Sequence, residues 1–345
     1  MSATIRTAII GFGVSGKVFH APLLAANPDF EISFIATANS ERQQQAADAY
    51  PHASIVPSYR EVLASAEELD LLVIGTPPPT HFEIARAALK RGLNVVIDKP
   101  FVVHSAQGEE LIALAAELGL TLTVYQNRRW DGDFLTIKKL LGEEALGAVH
   151  TFESRFEWFK PQGMRSWKAE LTAQQGGGIL FDLGTHLIDQ AIELFGPVNS
   201  VQASLRPLTD QATAEEDAHV LLRHCSGTES RLTMSSLNAA PGARFQMAGH
   251  RGAYTSFGLD PQEPQLASGM SPTQAEYGQK PEAHWGQLAT GQATREVPTL
   301  PGDYPQFYRA LASCLRHAGP VPVDPHDSLA VLRLIESIHR DTVTA

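Results

Sequence analysis

Short apolar runs alternate with amphipathic stretches over the first 125 residues, and this alternation predicts a parallel sheet covered by helices on both faces. The run Ile5 to Ile10 leads straight into Gly11-Phe12-Gly13-Val14-Ser15-Gly16. A helical stretch follows to about Ala26, and further strands are expected at Glu31 to Ala36, Leu71 to Ile74, Asn94 to Ile97 and Thr121 to Tyr125. Ser58 with Glu61, and Thr80 with Glu83, have the spacing of capping boxes, and Ser105 reads as a further helix cap. Gly92 and Gly119 stand where helices stop.

After Asp131 the texture changes. A helix is expected over about Phe134 to Leu141, and Val149 to Phe159 alternates like a strand with one solvated face. Val198 to Leu205, Ala218 to His224, Glu229 to Ser236, Arg244 to Ala248 and Ala253 to Phe257 are further strand candidates. Short turns rather than helices join them, so the sheet should be largely antiparallel. Residues 258–302, rich in Pro, Gly and Gln, are assigned no regular structure, and helices over about Tyr304 to His317 and Asp327 to Arg340 follow. The expected fold is a doubly wound α/β Rossmann domain over 1–125. An α+β domain over 126–345 then carries a mostly antiparallel open sheet with helices on one face. The C-terminal helix is a candidate to pack back on the first domain.

A length of 345 residues exceeds what one hydrophobic core usually serves. The net charge of −11 argues against a nucleic-acid partner, whose phosphates call for a basic face. Cys225 and Cys314 are too few for a disulfide framework and neither has a CxxC partner. The start of the chain lacks a signal-peptide pattern, and no window approaches the roughly 18 apolar residues of a membrane span. The histidines show no metal-ligand spacing, so no metal is expected. A cytoplasmic enzyme with a small-molecule substrate is the reading that fits.

Gly11-x-Gly13-x-x-Gly16 follows a strand, opens a helix and heads a βαβ unit, the context in which this spacing binds a dinucleotide. Its glycines bring the backbone, including Phe12, Val14 and Ser15, close to a pyrophosphate at the helix N-terminus. An NAD-specific fold places Asp or Glu about 20 residues on, to hold the ribose 2′-hydroxyl. Here Thr37, Ala38 and Asn39 stand there and Arg42 follows. Without the carboxylate a 2′-phosphate is not repelled, and a guanidinium can pair with it, which favours NADP over NAD. The alternative is that Arg42 only decorates its helix.

Lys99, in Asp98-Lys99-Pro100, lies at the carboxyl end of a strand, where open parallel sheets bind ligands. Read alone, it is a solvated charge. Downstream, Gly176-Gly177-Gly178 precedes Asp182 and His186, which on a helix share one face. Read alone, Asp182 as a helix-start residue and His186 as a core histidine stand level with a ligand-facing pair, and Asp189 reads as structural.

Taken together the motifs resemble the family of glucose–fructose oxidoreductase, inositol dehydrogenases and a rhizopine-catabolism protein (Gfo/Idh/MocA). They are the glycine fingerprint, Thr76-Pro77-x-x-x-His81, the acid-Lys-Pro tripeptide, and Gly177-Gly178 followed by Asp182-x-Gly184-x-His186. The branch with Phe19-His20-Ala21-Pro22 and Asn127-Arg128-Arg129-Trp130, which includes NADP-dependent scyllo-inositol dehydrogenases, is the most similar. The family usually has Glu where this chain has Asp98, a change that leaves Lys99 in register.

The resemblance implies a CH–OH dehydrogenase or reductase in which Lys99, Asp182 and His186 are catalytic and also touch the substrate. It places Thr76, Pro77 and His81 with the cofactor, together with Lys99 and with Asn127, which also reaches the substrate. Arg129, Phe156, Trp158 and Trp167 are pocket-wall candidates, the aromatics equally well read as core, and His20 reads as structural. The substrate would be an inositol, aldose or related polyol, handled by a homodimer or homotetramer. The rival readings are reduction of a non-sugar carbonyl or imine, and a cofactor-sensing regulator without turnover.

Overall fold

A computed structural model describes residues 4–161, 171–291 and 293–342, so the pocket-wall candidate Trp167 lies outside the described residues. The chain divides into two compact units. The first holds Met1–Asn127, Gln262–Tyr277 and Asp303–Leu329, and the second Arg128–Pro261, Gly278–Gly302 and Ala330–Ala345. Two later segments thus join the nucleotide-binding half.

The sheet of the first unit is parallel. Its strands are β1 (Ile5–Ile10), β2 (Phe30–Ala36), β3 (Ser54–Val56), β4 (Leu71–Ile74), β5 (Asn94–Asp98) and β6 (Leu122–Tyr125), in the order β3-β2-β1-β4-β5-β6. That order reverses between β1 and β4, and ligands of such sheets bind outside the carboxyl ends at this switch point. β4 is buried along its whole length and β1 nearly so, as strands covered on both faces must be. β3, absent from the sequence expectation, is a three-residue edge strand with no fully buried position, too short to leave a pattern.

The segment Asp303–Leu329 supplies part of this unit's core. Tyr308 donates to or accepts from His20 Nδ1 at 2.8 Å, and its ring meets Phe30 edge-on at 5.5 Å. The Tyr125 ring lies 4.5 Å from His20 and 4.8 Å from Phe307. Burial lowers the His20 imidazole to about 4, against the opposing pull of Asp98, so it packs as a neutral ring. The structural reading of His20 agrees with this.

In the second unit β7 (Val149–Glu157), β8 (Val198–Arg206), β9 (Asp217–His224), β10 (Glu229–Ser235), β11 (Phe245–Gly249), β12 (Ala253–Ser256), β13 (Gly286–Thr290) and β14 (Ala293–Val297) form one sheet. The order is β14-β13-β12-β11-β7-β10-β9-β8, antiparallel except where β7 runs parallel to β10. Phe152, Ser154 and Phe156 of β7 point to the covered face and are fully buried. The helix Thr185–Phe195 packs on that face, with Phe195 5.3 Å from Phe152.

Residues 258–302 correct the sequence expectation, because they contain the helix Gln262–Ala267 and both β13 and β14. Gln, Ala and Gly are poor strand formers, and four of the five β14 residues are exposed, so this edge hairpin leaves no apolar alternation. The helix caps also differ. His104, not Ser105, caps the helix Ser105–Leu118 in a reciprocal pair with Gln107. Ser58 bonds the Glu61 carboxylate and Thr80 bonds the Pro77 carbonyl, so neither closes a capping box.

Candidate active site

In the first unit the loops after β1 and β4 meet at backbone distance. A Cβ on Gly11, whose φ is +97°, would stand 2.7 Å from the Gly75 oxygen, and one on Gly16 would stand 2.0 Å from the Gly11 oxygen. Gly13 differs, since a Cβ there would meet only the Arg42 guanidinium, at 3.6 Å. Gly13 is thus not glycine for internal packing; its bare backbone faces the space where a pyrophosphate would lie. Ser15 Oγ is buried and has no hydrogen-bond partner among the described residues. A phosphate oxygen would give that hydroxyl its acceptor, so the cradle fits a dinucleotide. Phe12 is buried beneath the loop and Val14 is exposed above it.

At the end of β2, Thr37 is buried and Ala38 to Arg42 are exposed. Asn39 Oδ1 accepts from the Arg42 N–H at 2.9 Å, which caps the helix Ser40–Ala49 and seats Arg42 in its first turn. The acid nearest this point, Glu41, turns along its helix to Gln45. The guanidinium over Gly13 is therefore not matched by a carboxylate from the end of β2.

Lys99 follows β5 directly, at the same edge of the sheet as the glycine loop. Its N–H bonds Asp98 Oδ1 at 2.7 Å and the Lys99–Pro100 peptide is cis. His81, assigned to the cofactor from the motif, is fully buried instead. Its Nε2 lies 2.8 Å from the Thr76 oxygen, and its Nδ1 3.0 and 3.2 Å from those of Pro100 and Phe101. It ties the Thr76-Pro77 turn to the turn that carries Lys99. Asn127 is buried at the start of the turn Asn127–Trp130, which follows β6.

In the second unit the glycine run leads into a π-helical turn, Leu180–Gly184, and then the α-helix Thr185–Phe195. Asp182 sits on the wider turn, half-buried, and His186 on the α-helix, buried. Such π-turns recur at functional sites because they re-aim side chains relative to a continuous α-helix. Gly184 lets the turn approach β10, since a Cβ there would stand 3.2 Å from Met234 Sδ.

Arg129 and Phe156 do not fit the pocket-wall expectation. Arg129 forms a bidentate pair with Asp189, at 2.8 and 2.7 Å, and reaches Glu193 at 3.2 Å. Phe156 is fully buried, with the guanidinium carbons of Arg128 and Arg244 at 4.7 and 5.0 Å from its ring centre. Core packing and ion pairing account for both. Trp158 is half-buried, with the Lys160 ammonium 3.8 Å from its ring centre. Among the described residues no group of three or more His, Cys, Asp or Glu gathers to hold a metal, and no helix is long and apolar enough to cross a membrane.

Two family models match in chain order. Residues 5–126 match the NAD-binding Rossmann fold of the Gfo/Idh/MocA oxidoreductases, and residues 138–341 their C-terminal alpha/beta domain. The chain belongs to the Gfo/Idh/MocA family. Within that family it is 40% identical to the uncharacterized oxidoreductase YdgJ of Escherichia coli K12, over 97% of this chain and 96% of that protein. It is 33% identical to the scyllo-inositol 2-dehydrogenase (NADP(+)) IolW of Bacillus subtilis 168, over 97% and 92%. The solved structure of yvaA from Bacillus subtilis superposes with a TM-score of 0.92 at 32% identity, covering 99% of this chain and 97% of that one. As a Gfo/Idh/MocA protein it is an NAD(P)-dependent oxidoreductase acting on the CH–OH group of donors.

The Gfo/Idh/MocA motifs do not reveal everything around these residues. Gly75, which a side chain would drive into Ser15, precedes Thr76-Pro77 and was legible as a close approach only by extending that motif one residue back. Arg244 bonds Ser154 at 2.6 Å and Gln190 at 3.1 Å, bridging the sheet and the His186 helix, and no local pattern marks it. Asp131, buried near Asp133 and Asp260, is pushed far above the usual carboxylate range by burial, with Arg128 opposing. It is a buried acid of the second unit, two residues beyond the Asn-Arg-Arg signature.

Proposed function

We propose that this chain is an NADP-preferring dehydrogenase or reductase acting on a secondary hydroxyl, or the matching carbonyl, of an inositol, aldose or related polyol. The observation that carries the cofactor preference is the Arg42 guanidinium over Gly13, with Thr37 and Ala38 where NAD-binding folds have a carboxylate. The 33% identity to a scyllo-inositol 2-dehydrogenase named for NADP supports both the cofactor and the polyol class.

Bound nicotinamide supplies a hydride acceptor or donor. The residues of this chain handle the proton and the charge. Lys99 is the group to donate to the substrate oxygen and stabilise alkoxide character as it develops. His186 suits the acid–base role, since an imidazole changes charge near neutral pH, and Lys99 is the other group able to move the proton. Asp182 binds a neighbouring hydroxyl or orients that imidazole. Thr76, Pro77 and Asn127 border the cofactor, with His81 holding the first two from behind.

Initial rates with NADP and NAD over a panel of inositols, aldoses and polyols, in both directions, test this reading. Turnover should prefer NADP, and Lys99→Ala or His186→Ala should lower kcat by about 10²–10⁴. Arg42→Ala should weaken NADP about ten-fold or more and leave NAD little changed. A protein that binds cofactor and turns over no member of the panel would sink the polyol assignment in favour of a non-sugar carbonyl or imine.

A further inference from the structure

Glu215 lies two residues before β9, 8% exposed, and nothing in the sequence around it marks it as functional. Its backbone oxygen accepts the Ile179 N–H at 2.9 Å, and its carboxylate Oε1 accepts the Leu180 N–H at 3.1 Å. The carboxylate lies against Gly178. A Cβ built there would stand 2.3 Å from Oε1, 2.5 Å from Cδ and 2.6 Å from Oε2. Gly178 also has a φ of +91°, so this position admits glycine on two separate grounds. A third element closes the group: His339 Nε2, on the helix Pro325–Thr342, is 3.3 Å from Glu215 Oε1. The His339 ring stacks on Phe181, with centroids 5.6 Å apart and planes 16° from parallel.

Leu180 and Phe181 are the two residues before Asp182. The first N–H groups of a helix have no acceptor within it, and a carboxylate is the acceptor that the helix dipole favours. Helices usually draw that acceptor from the residue at their own N-cap. Here Ile179 provides no side-chain cap, and the acceptor comes from 35 residues further along the chain. The start of the π-turn is therefore fixed by a group outside the helix, and the direction of Asp182 and His186 follows from that start. The Asp182 N–H bonds the Gly178 oxygen at 3.1 Å, which couples it to the clamped glycine.

We infer that Glu215, backed by His339, is a positioning residue for the reaction: it clamps Gly178 and Leu180 so that Asp182 and His186 hold their catalytic orientation. This rests on the assignment of Asp182 and His186 proposed above. Misplacing a catalytic group by about an ångström lowers turnover by up to about a hundred-fold without touching the cofactor.

The test is steady-state kinetics of Glu215→Ala and Glu215→Gln beside the wild type, with NADPH affinity from fluorescence titration and Tm for each. Glu215→Ala should lower kcat roughly ten- to a hundred-fold while NADPH affinity stays at the wild-type value. Glu215→Gln, which keeps an oxygen acceptor for Leu180, should restore most of kcat. Wild-type kcat in Glu215→Ala overturns the inference, as does a loss that tracks cofactor affinity and Tm together or is no smaller in Glu215→Gln. A wild-type protein inert on every member of the panel sinks the polyol reading instead, and hydrogen exchange then judges the clamp alone. Faster exchange at the Leu180 amide in Glu215→Ala supports it, and unchanged exchange overturns it.

Discussion

Gly13 and Gly16 belong to one fingerprint, yet the structure gives them separable roles. A methyl group on Gly16 would overlap the Gly11 oxygen, whereas one on Gly13 would touch only the far end of a flexible arginine. Gly16→Ala should therefore destabilise the first unit by about 1–3 kcal/mol, as overpacking does. Gly13→Ala should fold with wild-type stability and lose cofactor affinity. Urea denaturation paired with NADPH titration separates the two, and equal stability loss in both variants would contradict the assignment. At this scale the sequence conveys residue identity and spacing well. Lys99 at the end of β5 and the glycine loop were legible because strand and motif locate each other. His81 shows the limit: its motif is plain, but only three carbonyl oxygens around the ring reveal that it supports two turns.

Asp189, one turn beyond His186, joins the helix Thr185–Phe195 to the turn Asn127–Trp130 through its bidentate pair with Arg129. Both partners are buried, and removing Asp189 takes the bidentate acceptor from the Arg129 guanidinium, with Glu193 still 3.2 Å away. Asp189→Ala should cost about 1.5–3 kcal/mol of stability, read as a lower urea midpoint. A change no larger than a surface substitution would mean that the pair is not holding these elements together. Elements with strong periodicity were legible in outline, from β1 to the helix Pro305–His317. The hairpin β13–β14 was not, because its exposed edge carries no alternation, and neither was the His104 cap, because histidine is not among the usual capping residues. Glu215 was invisible for a related reason. Its role depends on strand and helix meeting across 35 residues, which no local window contains.

For the whole molecule, the expectation of a dimer or tetramer concerns the second unit's sheet. Its uncovered positions on β7, β9 and β10 carry a ladder of opposite charges: Arg231 with Glu153 and Glu229, Arg223 with Glu229, and Arg155 with Glu153. An interface built there would be hydrogen-bonded and sensitive to salt, since exposed pairs of this kind are screened. Light scattering at micromolar concentration should show a multiple of the 37.4 kDa chain, and a single species of that mass would remove the expectation. The division of the chain into interleaved segments has a consequence for how the protein is made. Tyr308 and Phe307 complete the core around His20 and Tyr125, and the Val323 oxygen accepts from Thr123 at 2.7 Å. A ribosome that has released the first 127 residues has produced every strand of the nucleotide-binding sheet without the side chains that finish it. Co-translational folding, which ordinarily lets an N-terminal domain mature before its successor appears, must here wait until the Asp303–Leu329 segment has been synthesised.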